Sequence, residues 1–126
     1  MSGIRPNKEQ FIALMNAPDE GPVVMLNLLK FKVREGASEY NKYGNAAVQM
    51  VEARGGKVLW MGKVDQTLIG DLDADNWDAI ALVQYPSRKA FVEMTTSKEY
   101  DAAHEHRESG LERTVLLACT PRGGAL

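Results

Sequence analysis

The sequence is short of cysteine, of long apolar runs and of any excess charge, and each shortage removes a class of function. With one cysteine, Cys119, there is no intramolecular disulfide, no metal-binding cysteine pair and no dithiol redox couple. That favours a reducing cytoplasm. The longest apolar run, Val23 to Leu29, is interrupted by Asn27 and is far below the roughly 20 residues that cross a bilayer. The first ten residues are polar and contain Pro6 and Lys8, so no export signal is read there. Fifteen basic residues face seventeen acidic ones, a net charge of −2, which gives no basic field for a nucleic-acid backbone. A soluble protein with neither a membrane nor a nucleic-acid partner is expected. At 126 residues the chain is expected to form one domain over 1–126, with frayed ends at 1–6 and 121–126.

Patterning supplies the elements. Asn7 and Gln10 have capping-box spacing, and Phe11, Leu14 and Met15 recur on one face, which predicts a helix over 8–16 ended by Pro18, Asp19, Glu20 and Gly21. A strand follows over 23–32. Ser38 is the expected N-cap of a second helix, whose stripe of Tyr40, Tyr43, Ala47, Met50 and Val51 stops at Gly55 and Gly56. Residues 57–70 read as a long strand bent at Gly62, the aspartates at 71, 73 and 75 with Asn76 as a polar turn, and 77–85 as a third strand closed by Pro86. Ser87 caps a helix over 88–95, Ser97 restarts it to Gly110, and 111–119 is a fourth strand.

A leading helix followed by strand, helix, strand, strand, helix, strand is an α+β, ferredoxin-like split βαβ plan, an antiparallel sheet with helices on one face and an extra N-terminal helix. Both alternating sets of the first strand are apolar, Val24, Leu26 and Leu28 against Val23, Met25, Leu29 and Phe31. Such a strand needs cover on both sides, so a homodimer closing two sheets into a dimeric α/β barrel is expected.

The segments GPVVMLNLLKF, YPSRKAFVEMTTSKEY and AHEHRESGLERTVLLAC resemble the domain-of-unknown-function family 1330, over nearly the whole chain. The resemblance implies a member of the dimeric α/β barrel superfamily, with a small pocket between sheet and helices in each subunit. Relatives in that superfamily include cofactor-independent monooxygenases on quinol-like substrates, haem-degrading enzymes, muconolactone isomerases and stress-responsive proteins, so fold analogy selects no activity.

Candidate site residues come from chemistry that breaks the apolar pattern. Asn27 in an apolar strand is either an amide satisfied by backbone or one that orients a ligand, because an unpaired buried amide costs about 1–3 kcal/mol. His104 shares a helical face with Tyr100 and Arg107 and has Glu108 four residues on, which makes it the best acid–base candidate. Glu108 raises its proton affinity and Arg107 lowers it, a contest left open by spacing alone. Tyr40, Tyr43 and Trp60 are candidates to enclose a flat apolar ligand, Lys30 to meet an anion or reach solvent, and Trp77 to sit at an interface or rim.

Other chemistries are absent from the pattern. His106 lies about 200° round the helix from His104, which excludes a shared metal. The spaced aspartates from Asp71 are not a calcium loop, since Asn76 stands in the glycine position and Leu82 in that of the distal glutamate. No nucleophile elbow or phosphate-binding glycine loop occurs. No cofactor is expected, with haem held axially by His104 as a weaker option. Two readings follow: a cofactor-independent monooxygenase- or isomerase-like enzyme on a small apolar or aromatic metabolite, using His104 and Asn27, or a non-catalytic ligand-binding or stress-responsive dimer.

Overall fold

The computed structural model describes residues 4–18, 21–122 and 124. Residues 19 and 20 of the expected turn, and 1–3, 123 and 125–126 of the expected frayed ends, lie outside the described residues. The elements are α1 (Lys8–Asn16), β1 (Val23–Phe31), α2 (Gly36–Ala53), β2 (Lys57–Lys63), β3 (Ala79–Tyr85), α3 (Arg88–Thr95), α4 (Lys98–Gly110) and β4 (Leu111–Cys119). The strands form one antiparallel sheet in the order β2-β3-β1-β4, which is the ferredoxin-like arrangement.

Local chemistry starts most helices where it was expected. Asn7 and Gln10 close the capping box of α1, and Ser87 and Ser97 accept hydrogen bonds from Ala90 N and Tyr100 N at α3 and α4. The second helix departs from expectation. It begins at Gly36 rather than after Ser38, behind Glu35 in a left-handed conformation (φ 57°) that makes no side-chain cap. The cause is tertiary: a Cβ on Gly36 would lie 2.8 Å from the Gly110 carbonyl oxygen, and one on Gly110 would lie 2.6 Å from that of Gly36. The start of α2 and the end of α4 touch backbone to backbone, and only glycine permits it.

Alternate residues of β1 from Val23 to Leu29, namely Val23, Met25, Asn27 and Leu29, are buried beneath the helices and pair in register with Tyr85, Val83, Ala81 and Ala79. The main core joins Val23, Met25 and Tyr85 to Met50 and Val51 of α2, Phe91 and Met94 of α3, and Tyr100 and Ala103 of α4. A second cluster packs Leu29, Tyr40 and Leu111 around Ile4, so residue 4 is part of the core rather than a frayed end. Opposite the helices, Leu26 and Leu28 stand beside Leu82, Ile80, Val115 and Leu117, and this face is only partly covered, with Leu117 48% exposed.

The second strand is shorter than expected. It ends at Lys63, and its pairing with β3 slips between Val58 and Trp60, not at Gly62. The following segment, 64–78, is held by side chains: Thr67 Oγ1 donates to the Asp75 carbonyl (2.9 Å), and Asp71 accepts from the N–H groups of Asp73 and Ala74. Asp78 replaces a strand residue with a carboxylate that accepts from Phe31 N (2.8 Å) and pairs with Lys30 (3.2 Å). Lys30 is thereby a sheet-end ion-pair partner.

Candidate functional site

Between the helices and the inner face of the sheet lies a cavity of about 400 Å³. Three elements aim polar groups into it. On α4, Tyr100, His104 and Arg107 fall at i, i+4 and i+7 on the buried face; on α2, Tyr40 and Tyr43 fall at i and i+3; Asn27 comes from the centre of β1. Met25, Val51, Val83 and Phe91 give the remaining wall an apolar character.

His104 is 5% exposed. Its Nε2 meets Glu108 Oε1 at 3.1 Å, while its Nδ1 is buried without a hydrogen-bond partner. Burial lowers its proton affinity below the ordinary value of 6.5, and repulsion from Arg5 and Arg107 adds to this against the opposing pull of Glu108. The expected contest is therefore decided in favour of the neutral ring. A neutral imidazole donating Nε2–H to the Glu108 carboxylate carries its lone pair on Nδ1, which makes that atom an acceptor and a base.

Arg107 is 4% exposed. It donates to the Ile4 carbonyl (3.1 Å) and to Asn27 Oδ1 (3.4 Å), and its guanidinium carbon lies 5.8 Å from the centre of the Tyr43 ring. Among the described residues no carboxylate pairs with it. Asn27, 8% exposed, spends its amide hydrogens on the carbonyls of Ala81 (3.3 Å) and Met25 (3.4 Å). Its three hydrogen bonds all go to protein groups, and the one to Arg107 sets the direction of the guanidinium.

The aromatic side chains form a chain along one wall. Tyr40 and Tyr43 pack at 5.3 Å between ring centres, Tyr43 and Tyr100 edge-on at 5.9 Å, and Tyr100 against His104 at 5.6 Å. The hydroxyls of Tyr43 and Tyr100 meet at 2.8 Å; one donates to the other, which leaves one phenolic hydrogen for a further acceptor. Burial pushes Tyr43 well above the ordinary phenol value and raises Tyr40 as well, so both stay protonated donors at neutral pH.

Trp60 does not join this group. The slip after Val58 puts it opposite Leu82 on the outer face of the sheet, 54% exposed, and Met61 takes the inward place opposite Ala81. Trp77 packs under Arg113 at 4.2 Å, at the end of the 64–78 segment. His106 points away from His104 toward Glu39 (3.5 Å), and no cluster of metal-ligating side chains exists among the described residues. Sequence reasoning missed the N-terminal segment, whose Ile4, Arg5 and Lys8 line the cavity, Arg5 also pairing with Glu108. Nothing in local patterning links residue 5 to residue 108.

The model of a domain of unknown function, DUF1330, matches residues 28–120. The chain belongs to this family. A protein of unknown function from Rhodopseudomonas palustris is 36% identical over 97% of this chain and 98% of its own, with a TM-score of 0.86. At 13% identity, a DABB-family protein with a ferredoxin-like fold from Mesorhizobium loti aligns with 82% of this chain and all of its own (TM-score 0.60). A dimeric ferredoxin-like protein of unknown function from Thermobifida fusca aligns at 15% identity over 80% of this chain and 92% of its own (TM-score 0.58). These two distant likenesses show the fold alone. No curated protein matches the chain.

Proposed function

We propose that this protein is a cofactor-independent enzyme of the monooxygenase or isomerase kind, which moves a proton on a small apolar or aromatic metabolite held in the 400 Å³ cavity. The observation that carries this reading is His104, which lines the cavity and whose buried Nδ1 has no hydrogen-bond partner. In the proposed reaction Nδ1 takes a proton from carbon or oxygen, and the charge left on the substrate is stabilised by Arg107 and the free phenolic hydrogen of the Tyr43–Tyr100 pair. Tyr40 closes the cavity, and Asn27 acts through Arg107 as a positioning residue. The single Cys119 fits a reducing cytoplasm, and no described helix is long and apolar enough to cross a membrane.

The test is proton exchange into D₂O from a panel of quinols, lactones and 2-oxo acids, followed by NMR. Exchange by the wild type should fall about 100-fold or more in His104→Gln, while the far-UV spectrum is retained. Wild-type protein that exchanges no proton on any of them would leave the enzyme reading without support. Binding without exchange would favour the non-catalytic dimer.

The proposal includes a second copy on the outer face of the sheet. Support comes from the apolar set Leu26, Leu28, Leu82, Val115 and Leu117, and from Trp60 beside them. The side-chain-pinned 64–78 segment also presents Leu68 and Ile69 almost fully to solvent. Apolar area of this extent is the mark of an interface. Light scattering should give twice the 13.9 kDa chain mass. A mass of one chain at micromolar concentration would remove the dimer.

A further inference from the structure

The charge lining the cavity is of one sign. Arg5, Lys8 and Arg107 contribute to its wall, and among the described residues no aspartate or glutamate does, although the chain as a whole is acidic. Arg5 is balanced outside the cavity by Glu108. Among the described residues no carboxylate balances Arg107. Its partners are the Ile4 carbonyl, the Asn27 amide oxygen, the Tyr40 hydroxyl and the Tyr43 ring face, all neutral, and they leave part of the five-donor guanidinium fork for a further acceptor. A buried cation with neutral partners is unfavourable unless an anion completes it.

We infer that the ligand of this cavity is a monocarboxylic acid with an apolar or aromatic body, its carboxylate received by the Arg107 guanidinium and its body lying against Met25, Val51, Val83 and Phe91. This deepens the function proposed above and rests on the same cavity. The size and chemistry agree: about 400 Å³ is at the small end of metabolite pockets, and a wall this apolar suits a single planar anion better than a phosphate. A planar carboxylate matches the guanidinium fork of Arg107. Lys8, at the start of α1, adds a second positive charge to the cavity wall.

Isothermal titration compares phenylacetate, 3-phenylpropanoate and 4-methylpentanoate with the corresponding amides, which keep size and shape and remove the charge. At least one acid should bind the wild type about tenfold or more tightly than its amide. That preference should vanish in Arg107→Gln. Because Arg107 also ties down Ile4, Arg107→Gln is scored only if its circular dichroism is native; otherwise the acid-to-amide ratio in the wild type decides alone. Equal affinity for acid and amide, no binding of any acid at millimolar concentration, or a folded Arg107→Gln that keeps the preference would each overturn the inference. The two proposals fail separately. Acids that bind while His104→Gln leaves proton exchange unchanged would refute proton transfer and keep the carboxylate site, and His104-dependent exchange on compounds bound equally well as amides would do the reverse.

Discussion

Replacing Asn27 by leucine isolates the contact that orients the buried cation. The substitution keeps the volume nearly constant but removes Oδ1, leaving Arg107 Nη2 without its 3.4 Å acceptor in a site where Arg107 is 4% exposed. A lost hydrogen bond to a charged group is worth about 1.5–3 kcal/mol. All three bonds of the Asn27 amide are long, 3.3–3.4 Å, which puts the loss at the low end of that range; the one to Arg107 counts most because its donor is charged. Leucine returns roughly 1 kcal/mol of apolar burial, limited because one side of it faces a cavity rather than packed atoms. The net expectation is a loss of about 1–2 kcal/mol, or roughly 3–6 °C in the midpoint for a chain of this size. Urea unfolding of Asn27→Leu, Arg107→Met and the double variant closes a cycle whose coupling should be about 1 kcal/mol. Single effects that add to within ~0.3 kcal/mol would show that the two side chains do not depend on each other and would refute the argument.

The proton linkage of His104 has a definite sign. Its folded affinity lies below the ordinary value of 6.5, so the unfolded chain binds the extra proton first, and stability should fall as pH drops through 6.5 and level off below the folded value. Urea midpoints from pH 8 to 5 should show this fall in the wild type and a weaker one in His104→Gln; equal slopes would contradict it. Gly36→Ala, with the Gly110 carbonyl 2.8 Å from the new methyl, should destabilise by about 1–3 kcal/mol, whereas Gly44→Ala, with nothing within 4 Å, should stabilise α2 by about 0.5–1 kcal/mol. Thermal melts that fail to separate the two would place the helix contact elsewhere. Trp60→Asp should shift the light-scattering mass from twice the chain mass to the chain mass with little change in circular dichroism, and an unchanged mass would exclude Trp60 from an interface.

The candidate site was legible wherever its residues share one element. Tyr100, His104 and Arg107 follow from helical spacing on α4, and Tyr40 with Tyr43 from α2, because a helix repeats its face every three or four residues whatever it packs against. Trp60 was not. Unbroken alternation would put it on the same face as Val58, which does line the cavity, but one register slip between them turns every later side chain of β2 over. The proton affinity of His104 was equally hidden, since it depends on burial and on Arg5, 99 positions away in the chain.

By itself the sequence determined what short-range physics can carry: the capped starts of α1, α3 and α4, the division of the α4 helix from α3 at Ser97, and a first strand apolar on both faces. Caps and periodicity act over three or four residues and need no partner from afar. Tertiary structure alone decided the start of α2, where two glycine backbones meet, the side of the sheet that carries Trp60, and the fastening of Ile4 and Arg5 to α4. Each of these is settled by atoms far apart in the chain. The buried charge of Arg107 belongs to both: its place on the helix is local, but its burial, with no carboxylate beside it among the described residues, exists only once the sheet, the helices and the N-terminal segment have closed around it.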